Sequence, residues 1–116
     1  MDLSMRLKQR QTDTEQLEMI ASRFAELGHP TRLAIFIQLI QSGEQGVPVG
    51  EIQQQLDIPG STLSHHIAKL VKVNLIKQIR ESRTLFCVPQ FSSLMEVINF
   101  LQNECCINDN NDGACG

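Results

Sequence analysis

Two groups of side chains in this 116-residue sequence have types and spacings that could do chemistry. The first lies at residues 61–72. There Ser61, Thr62, Ser64, His65, His66, Lys69 and Lys72 are interleaved with Leu63, Ile67, Leu70 and Val71. Hydroxyl, imidazole and ammonium groups gathered on one surface suit hydrogen bonding to base edges and to phosphate oxygens. The second group is sulfur. Cys105 and Cys106 adjoin, and Cys115 follows nine residues later between Gly113 and Gly116. Two neighbouring thiols and a third on a flexible segment can offer three thiolates to a soft, thiophilic ion, whereas zinc wants a fourth ligand to close its tetrahedron. The remaining cysteine, Cys87, falls in a strand-like run and reads as a small buried hydrophobe.

Helices must position both groups. At about 100° per residue, Leu63, Ile67, Leu70 and Val71 define a buried side for residues 61–73, and Ser61, His65, Lys69 and Lys72 lie broadly opposite. Thr62 and Ser64 sit on the flanks. His65 points outward and His66 sits at the border of the apolar stripe, as a packed or phosphate-touching histidine. Adjacent helical residues do not face one site, so the two histidines do not read as a metal pair. Upstream, Thr12 and Glu15 form a capping box for a first helix carrying Leu17, Ile20, Ala21, Phe24 and Leu27, which Gly28 ends. Pro30 opens a second helix at a first-turn position. Its Leu33, Ala34, Ile35, Phe36, Ile37, Leu39 and Ile40 are apolar nearly all round, as in a central buried helix. Residues 44–48 read as a loop, residues 49–56 as a third helix, and Asp57-Ile58-Pro59-Gly60 as the tight turn before the fourth. The period then changes to two short strands, residues 76–80 and 84–88, around Glu81-Ser82-Arg83. Helical spacing returns at Phe91, Leu94, Met95, Ile98 and Leu101, and the Asn/Asp/Gly-rich end from residue 108 reads as a mobile tail.

The implied fold is mainly α with a small β-hairpin: a winged helix-turn-helix of order α-α-α-α-β-β-α, dimeric, over residues 1–104, with a flexible cysteine-bearing tail over residues 105–116. The apolar stripes of the first and last helices exceed what so small a domain can cover, so both are expected to pack across a two-fold axis.

Composition narrows the function. Hydrophobic residues make up 41% of the chain, enough for one folded domain. The net charge of −3 excludes an evenly basic protein that coats nucleic acid by charge alone. Its distribution is uneven, however. Residues 58–83 carry Lys69, Lys72, Lys77, Arg80 and Arg83 against Glu81, while the remaining five bases face twelve acids. A basic middle in an acidic chain focuses attraction for a polyanion on one surface. Arg80 and Arg83 at the hairpin are natural phosphate or minor-groove contacts. With no Trp, no Tyr and 5 Phe, the composition argues against readout of single-stranded bases by aromatic stacking. The longest apolar run, residues 33–37, is too short to cross a bilayer. The first residues lack an apolar export signal, so a cytoplasmic, bacterial location is expected, with the cysteines as thiols rather than a disulfide framework.

The segments FAELGHPTRLAIFIQLI and VGEIQQQLDIPGSTLSHHIAKLVKVNLIKQIRESRTLFCV, together spanning most of residues 20–101, resemble the ArsR/SmtB family of bacterial metal-responsive repressors. The resemblance rests on His29-Pro30-Thr31-Arg32-Leu33, on Ser61-Thr62-Leu63-Ser64-His65-His66-Ile67 and on Arg80-Glu81-Ser82-Arg83. It implies a homodimer on double-stranded operator DNA with an inverted repeat, released by an inducer. Ser61, Thr62, Ser64, His65, His66, Lys69, Arg80 and Arg83 would be the DNA-facing residues.

Two of the family's sensing patterns are absent. The third-helix segment GEIQQQLDI has no cysteine, and no His follows His66. What remains resembles the subgroup with arsenic-binding cysteines in the C-terminal tail. Cys105, Cys106 and Cys115 would then bind As(III), or Sb(III), as three thiolates, with no organic cofactor. The adjacency of Cys105 and Cys106 favours a site within one chain. Two alternatives stay open: a thiol-based redox or persulfide sensor on the same fold, and a winged-helix protein-interaction module. An enzyme is not expected, since no Arg closely follows a Cys as a phosphate-binding loop would need.

Overall fold

The computed structural model describes residues 11–105. The elements run α1 (Gln11–Leu27), α2 (Pro30–Ser42), β1 (Val47–Pro48), α3 (Val49–Leu56), α4 (Gly60–Lys72), β2 (Ile76–Glu81), β3 (Thr84–Pro89) and α5 (Phe91–Glu104). This is the expected winged helix-turn-helix with one added strand. Among the described residues, no helix is long and apolar enough to cross a membrane.

The added strand corrects the reading of residues 44–48 as loop. Val47 pairs with Cys87 and Pro48 with Phe86, so the sheet has three antiparallel strands in the order β1-β3-β2. Pro48 is tolerated because β1 is an edge strand, where a missing N–H breaks no central ladder. The hairpin itself is tighter than a three-residue turn. Glu81 pairs with Thr84, leaving Ser82, at a positive φ of 57°, and Arg83 at the tip.

Side chains from every layer meet in one core. Ile35, Phe36 and Leu39 of α2 pack with Ile52 of α3, Leu63, Ile67 and Leu70 of α4, and Val47, Leu75, Ile76 and Cys87 around the sheet. The helix starts follow local chemistry. His29 caps α2 by accepting the Thr31 N–H on its Nδ1 at 3.1 Å, and Pro30 fills the first turn where its absent N–H costs nothing. Asp57 ends α3 in the left-handed region at φ 53°, with its N–H bonded to the Gln53 carbonyl. Thr12, expected as the cap of the first helix, is instead inside it, since α1 already includes Gln11.

α2 also departs from expectation. Leu33 and Ile37 remain 43% and 41% exposed, so its apolar residues cover more of its circumference than this single chain buries. On the terminal helices Phe24, Met95, Ile98 and Leu101 are exposed, whereas Ile20 is buried within the chain and Leu94 packs against its core. The outward stripe is therefore narrower than the sequence suggests.

Gly46 makes β1 possible. It turns the chain at φ 79°, and a Cβ there would lie 2.5 Å from the Cys87 carbonyl oxygen and 2.8 Å from Val88 Cγ2. Gly46→Ala therefore meets both backbone strain and a clash with β3. It should destabilise the domain by about 1–3 kcal/mol, lowering Tm by at least roughly 4 °C in a domain of this size. An unchanged melting temperature would show that β1 contributes nothing to the fold.

Candidate nucleic-acid interface

α4 is divided as its sequence period demands. Leu63, His66, Ile67 and Leu70 are buried. Ser61, Thr62, Ser64, His65, Ala68 and Lys72 are exposed, and Lys69 is half-buried. Three residues, 57–59, separate it from α3, the spacing of a helix-turn-helix. Lys69 and Lys72 lie in its last turn, where cations complement the helix dipole. Arg80 and Arg83 are exposed on the wing. The structure thus brings Ser61, Thr62, Ser64, His65 and Lys72 to the open side of one helix, with Arg80 on β2 and Arg83 at the hairpin tip.

His66 belongs to the other side. It is 8% exposed, its ring lies 4.7 Å from that of His29, and its Nδ1 is 3.1 Å from Arg32 Nη1. A guanidinium only donates, so His66 Nδ1 accepts. Arg32 in turn donates from Nε to the Glu26 carbonyl at 2.6 Å and pairs with the Glu26 carboxylate at 3.6 Å. His29 Nδ1 likewise accepts, from the Thr31 amide. The Arg32 guanidinium cannot reverse its role, so this contact favours the neutral form of His66. Burial first, then the neighbouring His29, Arg32, His65 and Lys69, lowers the His66 pKa below its usual 6.5.

Sequence reasoning missed one residue entirely. Arg23 of α1 is 3% exposed. Its Nε donates to the Val73 carbonyl at 3.0 Å. Its Nη1 donates to the Ser93 carbonyl at 3.1 Å and to Glu96 Oε1 at 2.9 Å. Nothing local flags it, since its partners lie 50 to 73 positions away in the chain.

The sulfurs divide. Cys87 is free and fully buried in β3, and burial pushes its thiol up to about 11, far from a reactive thiolate. Cys105 caps the end of α5, its N–H bonded to the Leu101 and Gln102 carbonyls. It was expected as a thiol and is disulfide-bonded. Cys106 and Cys115 lie outside the described residues. Among the described residues, no group of three or more His, Cys, Asp or Glu side chains could hold a metal ion.

Comparison with known proteins agrees with this geometry. A family described as a helix-turn-helix domain matches residues 27–79. The nodulation protein NolR of Rhizobium meliloti is 24% identical over 89 residues, covering 77% of this chain and 70% of NolR. An ArsR family transcriptional regulator, RHA00566, superposes with a TM-score of 0.67 at 22% identity, covering 84% of this chain and 95% of the other. A homodimeric winged helix-turn-helix DNA-binding domain from Mycobacterium bovis, described as a possible ArsR-family regulator, superposes at 0.62 with 20% identity, covering 84% and 91%. The fold is a winged helix-turn-helix.

The His66 environment has a pH consequence. With a folded pKa lowered below 6.5, the unfolded chain takes up a proton at that residue before the folded chain does. Stability from this site is therefore complete above pH 6.5 and is lost as pH falls from there toward the folded value. His66→Gln keeps an acceptor for Arg32 and removes the titration. Thermal unfolding at pH 7.5 and 5.5 should show a smaller acid-induced fall in Tm for the variant than for the parent. Equal falls would place the acid sensitivity elsewhere.

Proposed function

We propose that this chain is a transcriptional repressor of the ArsR/SmtB kind: a homodimer that binds an inverted-repeat operator and releases it when trivalent arsenic is taken up by Cys105, Cys106 and Cys115. Its winged helix-turn-helix fold is shared with an ArsR family transcriptional regulator. The observation that carries the DNA-binding reading is the division of α4, with Leu63, Ile67 and Leu70 inward and Ser61, Thr62, Ser64 and His65 outward. Small hydroxyls let a helix approach base edges, and lysines meet phosphates. His66, buried at the back of the helix, supports α4 rather than touching DNA. Arg80 and Arg83 contact phosphate or the minor groove from the wing.

The exposed Phe24, Met95, Ile98 and Leu101 supply an apolar face for a two-fold interface, and the similar domain from Mycobacterium bovis is homodimeric. The inducer reading rests on ligand chemistry. Three thiolates suit As(III) or Sb(III), and Cys105 stands where α5, carrier of that face, ends. An inducer acts only through different affinities for two dimer geometries. By linkage, operator DNA weakens arsenite binding by the same factor, about 5- to 150-fold.

The disulfide at Cys105 favours a second reading on the same fold, in which oxidation of the tail cysteines is itself the signal. Fluorescence anisotropy on an operator duplex separates the two. With reductant present, arsenite should release the parent and Cys87→Ser but not Cys105→Ser, Cys106→Ser or Cys115→Ser. Release by a thiol oxidant alone, with no response to arsenite, would replace the arsenic reading with the redox one. On the DNA side, Lys69→Gln should weaken binding to all sequences and lower the salt slope by about one. Unchanged operator affinity in a Ser64→Ala, His65→Ala double variant would remove α4 as the reader.

A further inference from the structure

We infer that Arg23 is a positioning residue that fixes the spacing between the two recognition helices of the dimer. The inference rests on the proposed DNA-binding reading and adds to it a determinant of operator geometry.

One guanidinium joins three elements. Arg23 rises from α1, donates to Val73, the C-cap of α4, and donates to Ser93 and Glu96 in the first two turns of α5. The α4 end is also anchored by short-range bonds, Asn74 N–H to the Val71 carbonyl and Leu75 N–H to the Leu70 carbonyl, and the Gln90 N–H before α5 donates to the Leu75 carbonyl just beyond it. Arg23 adds a side-chain link that ties Val73 itself to both α1 and α5. Its neighbour in sequence, Phe24, is exposed, and Glu96 is followed two residues later by exposed Ile98 and preceded by exposed Met95. The anchor therefore sits directly behind the face assigned to the dimer.

Burial of the charge argues for geometry rather than stability. The guanidinium is 3% exposed, and its carboxylate partner is 50% exposed. Desolvating an arginine is costly, and an apolar residue of similar volume often stabilises as well or better. What an apolar residue cannot do is set angles. The planar fork donates along fixed directions, here to two backbone carbonyls at once, and so fixes the tilt of α4 relative to α1 and α5. In a two-fold dimer built on α1 and α5, that tilt sets where each recognition helix meets the DNA. Half-sites must then lie near one helical turn apart, or a multiple of it. One base pair of error rotates a half-site by about 35° around the duplex.

The test uses the full chain and palindromic duplexes with half-sites at the preferred spacing and one or two base pairs longer or shorter, beside a duplex with a single half-site. The parent should lose about tenfold or more in affinity for each base pair of misspacing. Arg23→Lys keeps the charge but cannot reach both carbonyls from one plane. It should bind all spacings within about threefold while retaining the parent's affinity for the single half-site. Glu96→Ala, at a half-exposed position that leaves the core intact, should flatten the preference partway. If Arg23→Lys keeps the parent's spacing preference, the inference is wrong. If it weakens the single half-site and the paired sites equally, Arg23 only supports the fold, which also overturns the inference. A parent that binds none of these duplexes would instead overturn the DNA-binding reading itself.

Discussion

The structure depends on the burial of one side of a thirteen-residue helix. Alone in water a helix as short as α4 is marginal, and Gly60, Ser61 and Thr62 at its start are poor helix formers. Burying Leu63, Ile67 and Leu70 against α2, α3 and the sheet supplies roughly 1.5–3 kcal/mol per side chain and makes the segment helical. The same burial leaves Ser61, Thr62, Ser64 and His65 with nowhere to point but outward. The outward face is thus a consequence of the core, and its short polar side chains are compatible with close approach to another surface.

Polar groups hold the back of α4 at two places. Arg32 reaches His66 in the middle of the helix, and Arg23 reaches Val73 at its end. Both arginines also engage glutamates, Glu26 and Glu96. Two of the chain's bases are thereby spent inside the fold, and those left on α4 and the wing stand out against an acidic remainder. The net charge of −3 would repel a polyanion from most directions, which favours approach along the basic side.

Much of this was legible in the sequence. The 3.6-residue period of α3 and α4, the Asp57-Ile58-Pro59-Gly60 turn and the switch to period two at Ile76 determine the helix-turn-helix and its wing. His66 at the edge of the apolar stripe is buried, and Cys87 is a buried thiol, as their positions imply. Other features were hidden for physical reasons. β1 is two residues long and contains Pro48, so no alternation could announce it, and it exists because Cys87 and Phe86 offer it a partner. Leu33 and Ile37 read as core because periodicity records apolar faces but not which of them a single chain covers. Nothing in the local sequence marks Arg23, because the three groups it bonds arrive from distant parts of the chain.

The most direct test of the account is where the protein touches DNA. On an operator selected from random duplexes, protection of guanine N7 from dimethyl sulfate reports occupation of the major groove. Two recognition helices related by a two-fold axis should protect two symmetric patches on one face of the duplex, centred about one helical turn or a multiple of it apart. Protection confined to a single patch, or no N7 protection despite tight binding, would contradict the assignment of α4 as the reading element.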